Sequence, residues 1–177
     1  MHRHLIAILR GITTDEAAAV CDALLSAGIS QIEIPLNSPD PMCTIEMMVK
    51  QYGADARIGA GTVLTCADVD MLAEIGAHMV ISPNMNPEVI ARTKQLGMMS
   101  CPGILTPTEG FAALAAGADM LKLFPADIVG PSGVKALRAV LPADVKLAAV
   151  GGVGPGKLSV WAEAGITAFA IGSSLYK

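Results

Sequence analysis

Met120-Leu121-Lys122-Leu123-Phe124-Pro125-Ala126 is a short, almost wholly apolar run with one charge at its centre. A run this short and apolar, bounded by turn residues, reads as a strand buried on both faces, as in a parallel sheet. A lysine there must be paired or give up its proton, because burial disfavours the ammonium. A neutral lysine amine in a pocket is a nucleophile towards carbonyl carbon. The alternative is a buried Lys–Glu ion pair with no chemistry.

Seven further runs of this kind lie on either side. The eight begin near Leu5, Gln31, Arg57, His78, Met98, Met120, Lys146 and Ala168, at intervals of 20 to 26 residues. Each interval has room for one strand, one helix and two short loops. Helical patterns lie between the runs, as in Asp15-Glu16-Ala17-Ala18-Ala19-Val20-Cys21-Asp22-Ala23-Leu24-Leu25. Five of these helices are predicted to close on the same signal: Ala27-Gly28, Ile75-Gly76, Leu96-Gly97, Ala116-Gly117 and Ala164-Gly165. Glycine there supplies the left-handed residue that ends a helix. Helix starts are marked by Thr14-Asp15-Glu16, Thr65-Cys66-Ala67-Asp68, Asn86-Pro87-Glu88 and Thr106-Pro107-Thr108-Glu109, each with a capping hydroxyl or amide near an acid.

Eight strand–helix units with continuously apolar strands predict a closed parallel (β/α)8 barrel, one domain over residues 1–177. The competing architecture is an open doubly wound sheet, which usually carries a glycine-rich dinucleotide turn after its first strand. Leu9-Arg10-Gly11-Ile12-Thr13 stands there instead. The sequence stops at Leu175-Tyr176-Lys177, just after the eighth run, with no eighth helix. The expectation is a C-terminally short barrel: either a fragment, or a chain whose bare flank a partner covers.

The 177 residues are 53% hydrophobic, 16% charged and 3% aromatic, so the core must be built from aliphatic residues and the ten Met. A net charge of −4 does not provide the basic face that nucleic-acid binding needs. Cys21, Cys43, Cys66 and Cys101 are scattered and read as free thiols of a reducing cytoplasm. Met1-His2-Arg3-His4 before the first run lacks the length and cleavage site of a signal peptide. No segment reaches membrane-spanning length without a charge or turn. The three His have no ligand spacing, so neither metal nor cofactor is expected.

In such barrels the chemistry lies at the C-terminal ends of the strands. The polar residues expected there are Arg10, Glu33, Asn37, Ser38, Thr62, Ser82, Asn84 and Lys122. If Ile32, Ile34, Leu121 and Leu123 face the helices, alternation turns Glu33 and Lys122 towards the barrel axis. An inward carboxyl and an inward amine, with Arg10 nearby, suit proton shuttling around a covalent lysine. Gly151-Gly152 and Gly172-Ser173-Ser174 end the last two runs, where glycine lets backbone N–H groups approach an anion such as phosphate.

These residues, in this order, resemble the bacterial aldolases that cleave 2-keto-3-deoxy-6-phospho sugar acids. The likeness runs from Leu5 to Tyr176 and is carried by LRGIT (Leu9–Thr13), EIPLNS (Glu33–Ser38), IGAGTVL (Ile58–Leu64), ISPN (Ile81–Asn84), CPG (Cys101–Gly103), KLFPA (Lys122–Ala126), AVGGV (Ala149–Val153) and IGSSLY (Ile171–Tyr176). It implies a metal-independent class I aldolase, usually trimeric, yielding pyruvate and an aldehyde. By this resemblance Lys122 forms the Schiff base and Glu33 is the general acid/base. Thr62, the Gly61 backbone and Arg10 would hold the pyruvate carboxylate, and Pro83 and Phe124 would wall the methyl group. Gly151, Gly152, Gly172 and Ser173 would hold phosphate.

Asn37 and Val150 depart from the gluconate-type members, which often carry arginine and threonine at these places. They point to the galactonate type, whose products are pyruvate and D-glyceraldehyde 3-phosphate. The alternatives are a gluconate or 4-hydroxy-2-oxoglutarate aldolase and, in a different class, a sugar-phosphate epimerase or isomerase. A non-catalytic phosphate-binding barrel is a further alternative.

Overall fold

The computed structural model describes residues 4–176. Parallel strands alternate with helices along the chain: β1 (Leu5–Ile8), α1 (Thr14–Ser26), β2 (Gln31–Pro35), α2 (Pro41–Tyr52), β3 (Arg57–Gly61), α3 (Cys66–Glu74), β4 (Met79–Ile81) and α4 (Pro87–Gln95). The second half continues with β5 (Met99–Cys101), β6 (Gly103–Ile104), α5 (Pro107–Ala115), β7 (Leu121–Leu123), α6 (Ala126–Arg138), β8 (Leu147–Val150), α7 (Leu158–Glu163) and β9 (Ala168–Ile171). Each observed strand run begins within one residue of its predicted start. His2 and Lys177 lie outside the described residues.

Nine strand segments make an eightfold barrel because one strand is interrupted. The sheet order is β5-β4-β3-β2-β1-β9-β8-β7-β6. Its two ends, β5 and β6, are consecutive in the chain and separated only by Pro102. Proline has no N–H to give to a ladder, so regular pairing breaks there. The Pro102 carbonyl still accepts from the Lys122 N–H at 2.9 Å, which carries β7 across the gap.

The helix ends follow the local chemistry expected of them. Gly28, Gly76, Gly97, Gly117 and Gly165 all have positive φ, between 76° and 109°. At the first of these the Gly28 N–H reaches the Leu25 carbonyl and the Ile29 N–H reaches the Leu24 carbonyl, both at 2.9 Å. That paired pattern satisfies the last carbonyls of α1 and directs the chain into β2. Thr13 with Glu16, Thr65 with Asp68 and Thr106 with Glu109 form capping boxes, and the Asn86 side chain caps α4. Helix α6 is two pieces, broken at Gly130 (φ 65°) before Pro131.

Alternation along the strands divides the core into two layers. Ile32, Ile34, Ile58, Leu121, Leu123 and Leu147 pack outward against the helices. Ile6, Ile8, Met79, Ile81, Cys101 and Val150 pack inside the barrel with small alanines of β8 and β9. Burial on both strand faces is why the runs read as continuously apolar. At Gly59 an added Cβ would overlap the Met79 backbone, so β3 and β4 approach closely only with glycine. The strand ends that carry the polar residues therefore converge on one mouth.

Candidate active site

Glu33 and Lys122 lie on β2 and β7, where their outward neighbours are the buried isoleucines and leucines of the helix-facing layer. Both side chains consequently enter the barrel. They are 1% and 5% exposed, so a carboxyl and an amine are held almost out of water. Neither a hydrogen bond nor an ion pair joins them among the described residues. The Glu33 Oε2 is buried without any hydrogen-bond partner among those residues. A buried polar atom left this way carries a desolvation cost that a ligand or a water can relieve. Burial pushes the Glu33 carboxyl above the usual carboxylate range, while the positive charges of Lys122 and then Arg10 pull it back.

The structure thus has the participants of a buried Lys–Glu ion pair without the pair itself. The Lys122 Nζ instead lies 5.0 Å from the centre of the Phe124 ring, within cation–π range when it is charged. Gly61 packs against Glu33, and an added Cβ there would overlap the carboxyl group. Cys101 sits beside this pair in the barrel interior. Burial pushes its thiol up to about 12, so it is an unreactive packing group.

Above this pair opens a cavity of about 1030 Å³. It is lined by Arg10, Thr62, Pro83 and Phe124. Val150, Gly151, Gly152, Gly172 and Ser173 continue the lining, with Gly151 beside the Phe124 ring. Eleven of the thirteen residues given a catalytic, pocket, specificity or phosphate role from the sequence therefore share one cavity, Glu33 and Lys122 included. Gly61 and Asn37 are not among its lining residues. Gly61 sits behind the Glu33 carboxyl, and Asn37 is exposed on the β2–α2 loop.

Thr62 adopts φ 59°, a left-handed conformation that a β-branched residue rarely holds. Its neighbours keep it there: the Gly61 carbonyl accepts from Leu36 N–H and the Val63 N–H donates to the Ile81 carbonyl. Such conformations persist where surrounding structure over-determines them, commonly at ligand sites.

Ser174, at the predicted end of the last strand, also lines the cavity, as do Lys157 and Tyr176, which were given no role from the sequence. Lys157 follows Gly151-Gly152-Val153-Gly154-Pro155-Gly156, and its place at the end of that glycine-rich segment was the available signal. It is exposed and makes no ion pair among the described residues. His78 precedes β4, and its Nδ1 accepts the Ile58 N–H at 3.0 Å. Among the described residues no three His, Cys, Asp or Glu side chains form a group able to hold a metal ion.

The arrangement suits attack by an amine on a carbonyl, followed by proton transfers through one carboxyl. Known proteins match it closely. The family model described as KDPG and KHG aldolase matches residues 1–177. A probable 2-dehydro-3-deoxy-6-phosphogalactonate aldolase of Rhizobium meliloti (strain 1021) is 54% identical over 177 residues, covering 100% of this chain and 84% of that protein. A solved structure described as native KDPGal superposes with a TM-score of 0.96 at 51% identity, covering 98% of this chain and 84% of the other. The KDPG aldolase of Legionella pneumophila, solved with pyruvate captured as a covalent carbinolamine intermediate, gives a TM-score of 0.88 at 25% identity over 97% of this chain and 82% of the other. The chain belongs to the KDPG and KHG aldolase family, and it is a lyase of carbon–carbon bonds.

Proposed function

We propose that this aldolase cleaves 2-dehydro-3-deoxy-6-phosphogalactonate to pyruvate and D-glyceraldehyde 3-phosphate through a Schiff base on Lys122. The observation that carries the reading is the buried, unpaired Glu33 and Lys122 side chains at the floor of one cavity. Two opposite charges sequestered from water would form an ion pair if their role were structural. Here the space between them and the mouth is left for substrate.

The neutral Lys122 amine attacks the C2 keto carbon to form a carbinolamine. Glu33 protonates the departing hydroxyl, which leaves as water, and an iminium remains. The Glu33 carboxylate next takes the proton of the C4 hydroxyl. The C3–C4 bond breaks, C4 becomes the product aldehyde, and the bonding pair enters the iminium as an enamine. Protonation at C3 and hydrolysis then release pyruvate and the free amine. A carboxyl whose pKa is raised by burial serves both as acid and as base.

Arg10, Thr62 and the Gly61 backbone are assigned to the carboxylate, with Pro83 and Phe124 walling the methyl group. Gly151, Gly152, Gly172 and Ser173 are assigned to the phosphate, and Lys157 supplies the positive charge on that side. The polar reach of Val150 is nil, which favours the galactonate epimer over the gluconate one. Asn37 bears on the same preference through Arg10. The chain is read as one domain of a cytoplasmic homotrimer; half-exposed Leu64, Met71 and Phe111 are side chains that contact between copies would cover, and sedimentation tests it.

The deciding experiment is borohydride reduction in the presence of pyruvate, followed by peptide mass mapping. A reduced pyruvyl adduct on Lys122 is expected. No adduct, or an adduct that persists in Lys122→Met, overturns the mechanism.

A further inference from the structure

Arg10 lines the cavity, yet its guanidinium is anchored outside it. The Arg10 Nη1 donates to the Asn37 Oδ1 at 2.6 Å. One residue further, the Gly11 N–H donates to the Ser38 Oγ at 3.0 Å. Two consecutive residues of the β2–α2 loop thus grip two consecutive residues of the β1–α1 loop. The loops leave adjacent strands, since β1 pairs with β2 through Ile8 and Glu33. Gly11, at φ 83°, makes the turn that lets its N–H face the serine.

We propose that Asn37 is a positioning residue, a neutral tether that holds the Arg10 guanidinium at the cavity mouth without consuming its charge. The proposal rests on the reading of Arg10 as partner of the substrate carboxylate. Arginine has only donors, so the amide must present its oxygen, and one N–H of five is used. The rest remain for an anion. A carboxylate in the same place would hold the side chain equally well but would neutralise it. Among the described residues no acid pairs with Arg10, so its charge stays available. An untethered, exposed arginine samples several rotamers, and binding must then bear the cost of ordering it.

The pyruvate concentration that half-saturates borohydride trapping reads carboxylate binding directly, alongside steady-state kcat and KM. Asn37→Ala is expected to raise half-saturating pyruvate and KM about fivefold, with kcat within twofold of the wild type. Asn37→Asp is expected to raise both as well, because it restores the bond but cancels the charge. Asn37→Ser, a shorter neutral acceptor, should recover part of the loss. In an Arg10→Met background all three changes should be silent. A wild-type KM in Asn37→Asp overturns the argument from charge. An equal cost of Asn37→Ala with and without Arg10 overturns the tether. A silent Arg10→Met on its own overturns the carboxylate reading beneath it, and the tether falls with that.

Discussion

The floor and the rim of the cavity are built differently. Glu33 and Lys122 stand on strands bonded on both sides, in β2 between β1 and β3 and in β7 between β6 and β8. The opposite rim is loop: a glycine-rich segment after β8, ending in Lys157, and the Gly172-Ser173-Ser174 turn after β9. Strands hold a side chain to fractions of an ångström, whereas glycine loops present backbone groups that adapt to a ligand. On the proposed mechanism the bond-breaking groups stand on paired strands, and the substrate's distal end meets the glycine loops.

The severest test of this division is Lys122→Met. Loss of the nucleophile should lower kcat by about 10⁴-fold or more while the barrel stays folded, because a buried charge is replaced by an apolar side chain. Circular dichroism and a coupled pyruvate assay check both halves, and cleavage near the wild-type rate would remove the floor from the chemistry.

Glu33→Gln should cost about 10²- to 10⁴-fold in kcat, the usual range for a general acid/base. Its pH dependence sharpens the point. Burial raises the Glu33 pKa above the ordinary carboxylate range, so the carboxyl stays protonated to higher pH than an exposed one. The base form needed to take the C4 proton is therefore lost earlier as pH falls. The acid limb of kcat/KM, which reports the free enzyme, should have its midpoint above the ordinary carboxylate range. A midpoint within or below that range would mean that Glu33 is not held in a dry cavity floor.

The rim should respond more gently. Lys157→Ala should raise KM for the phosphorylated acid about three- to tenfold, with kcat little changed, because one exposed cation contributes about 1 kcal/mol and is screened by salt. The unphosphorylated acid should be unaffected, and an equal loss on both substrates would remove Lys157 from the phosphate. The smallest effect is expected at Val150, whose side chain is buried at the cavity wall. Val150→Thr adds a hydroxyl able to bond a substrate hydroxyl, and should narrow the preference for the galactonate over the gluconate epimer by about 1 kcal/mol. Rates on both pure epimers measure it, and a wild-type enzyme without preference would break the specificity assignment alone.

Much of this architecture was legible in the chain because its causes are local. The five closing glycines, the Thr65 and Thr106 caps and the apolar runs act over a few residues, so they show in sequence and reappear in place, whereas the first cap falls on Thr13, one residue before the Thr14-Asp15-Glu16 signal. Strict alternation around Glu33 and Lys122 likewise fixed the face each side chain takes. Tertiary structure alone decided how those faces meet. That Glu33 and Lys122 are buried together without pairing depends on strands far apart in the chain. The left-handed Thr62 is imposed by bonds from β4 and the β2–α2 loop, not by any preference of threonine. The split of one strand at Pro102 matters only because the sheet closes there. Asn37 shows the limit most plainly: the sequence marks it as a specificity residue, but its partner is Arg10, 27 positions away, and only the closing of the barrel brings the two loops within hydrogen-bond reach.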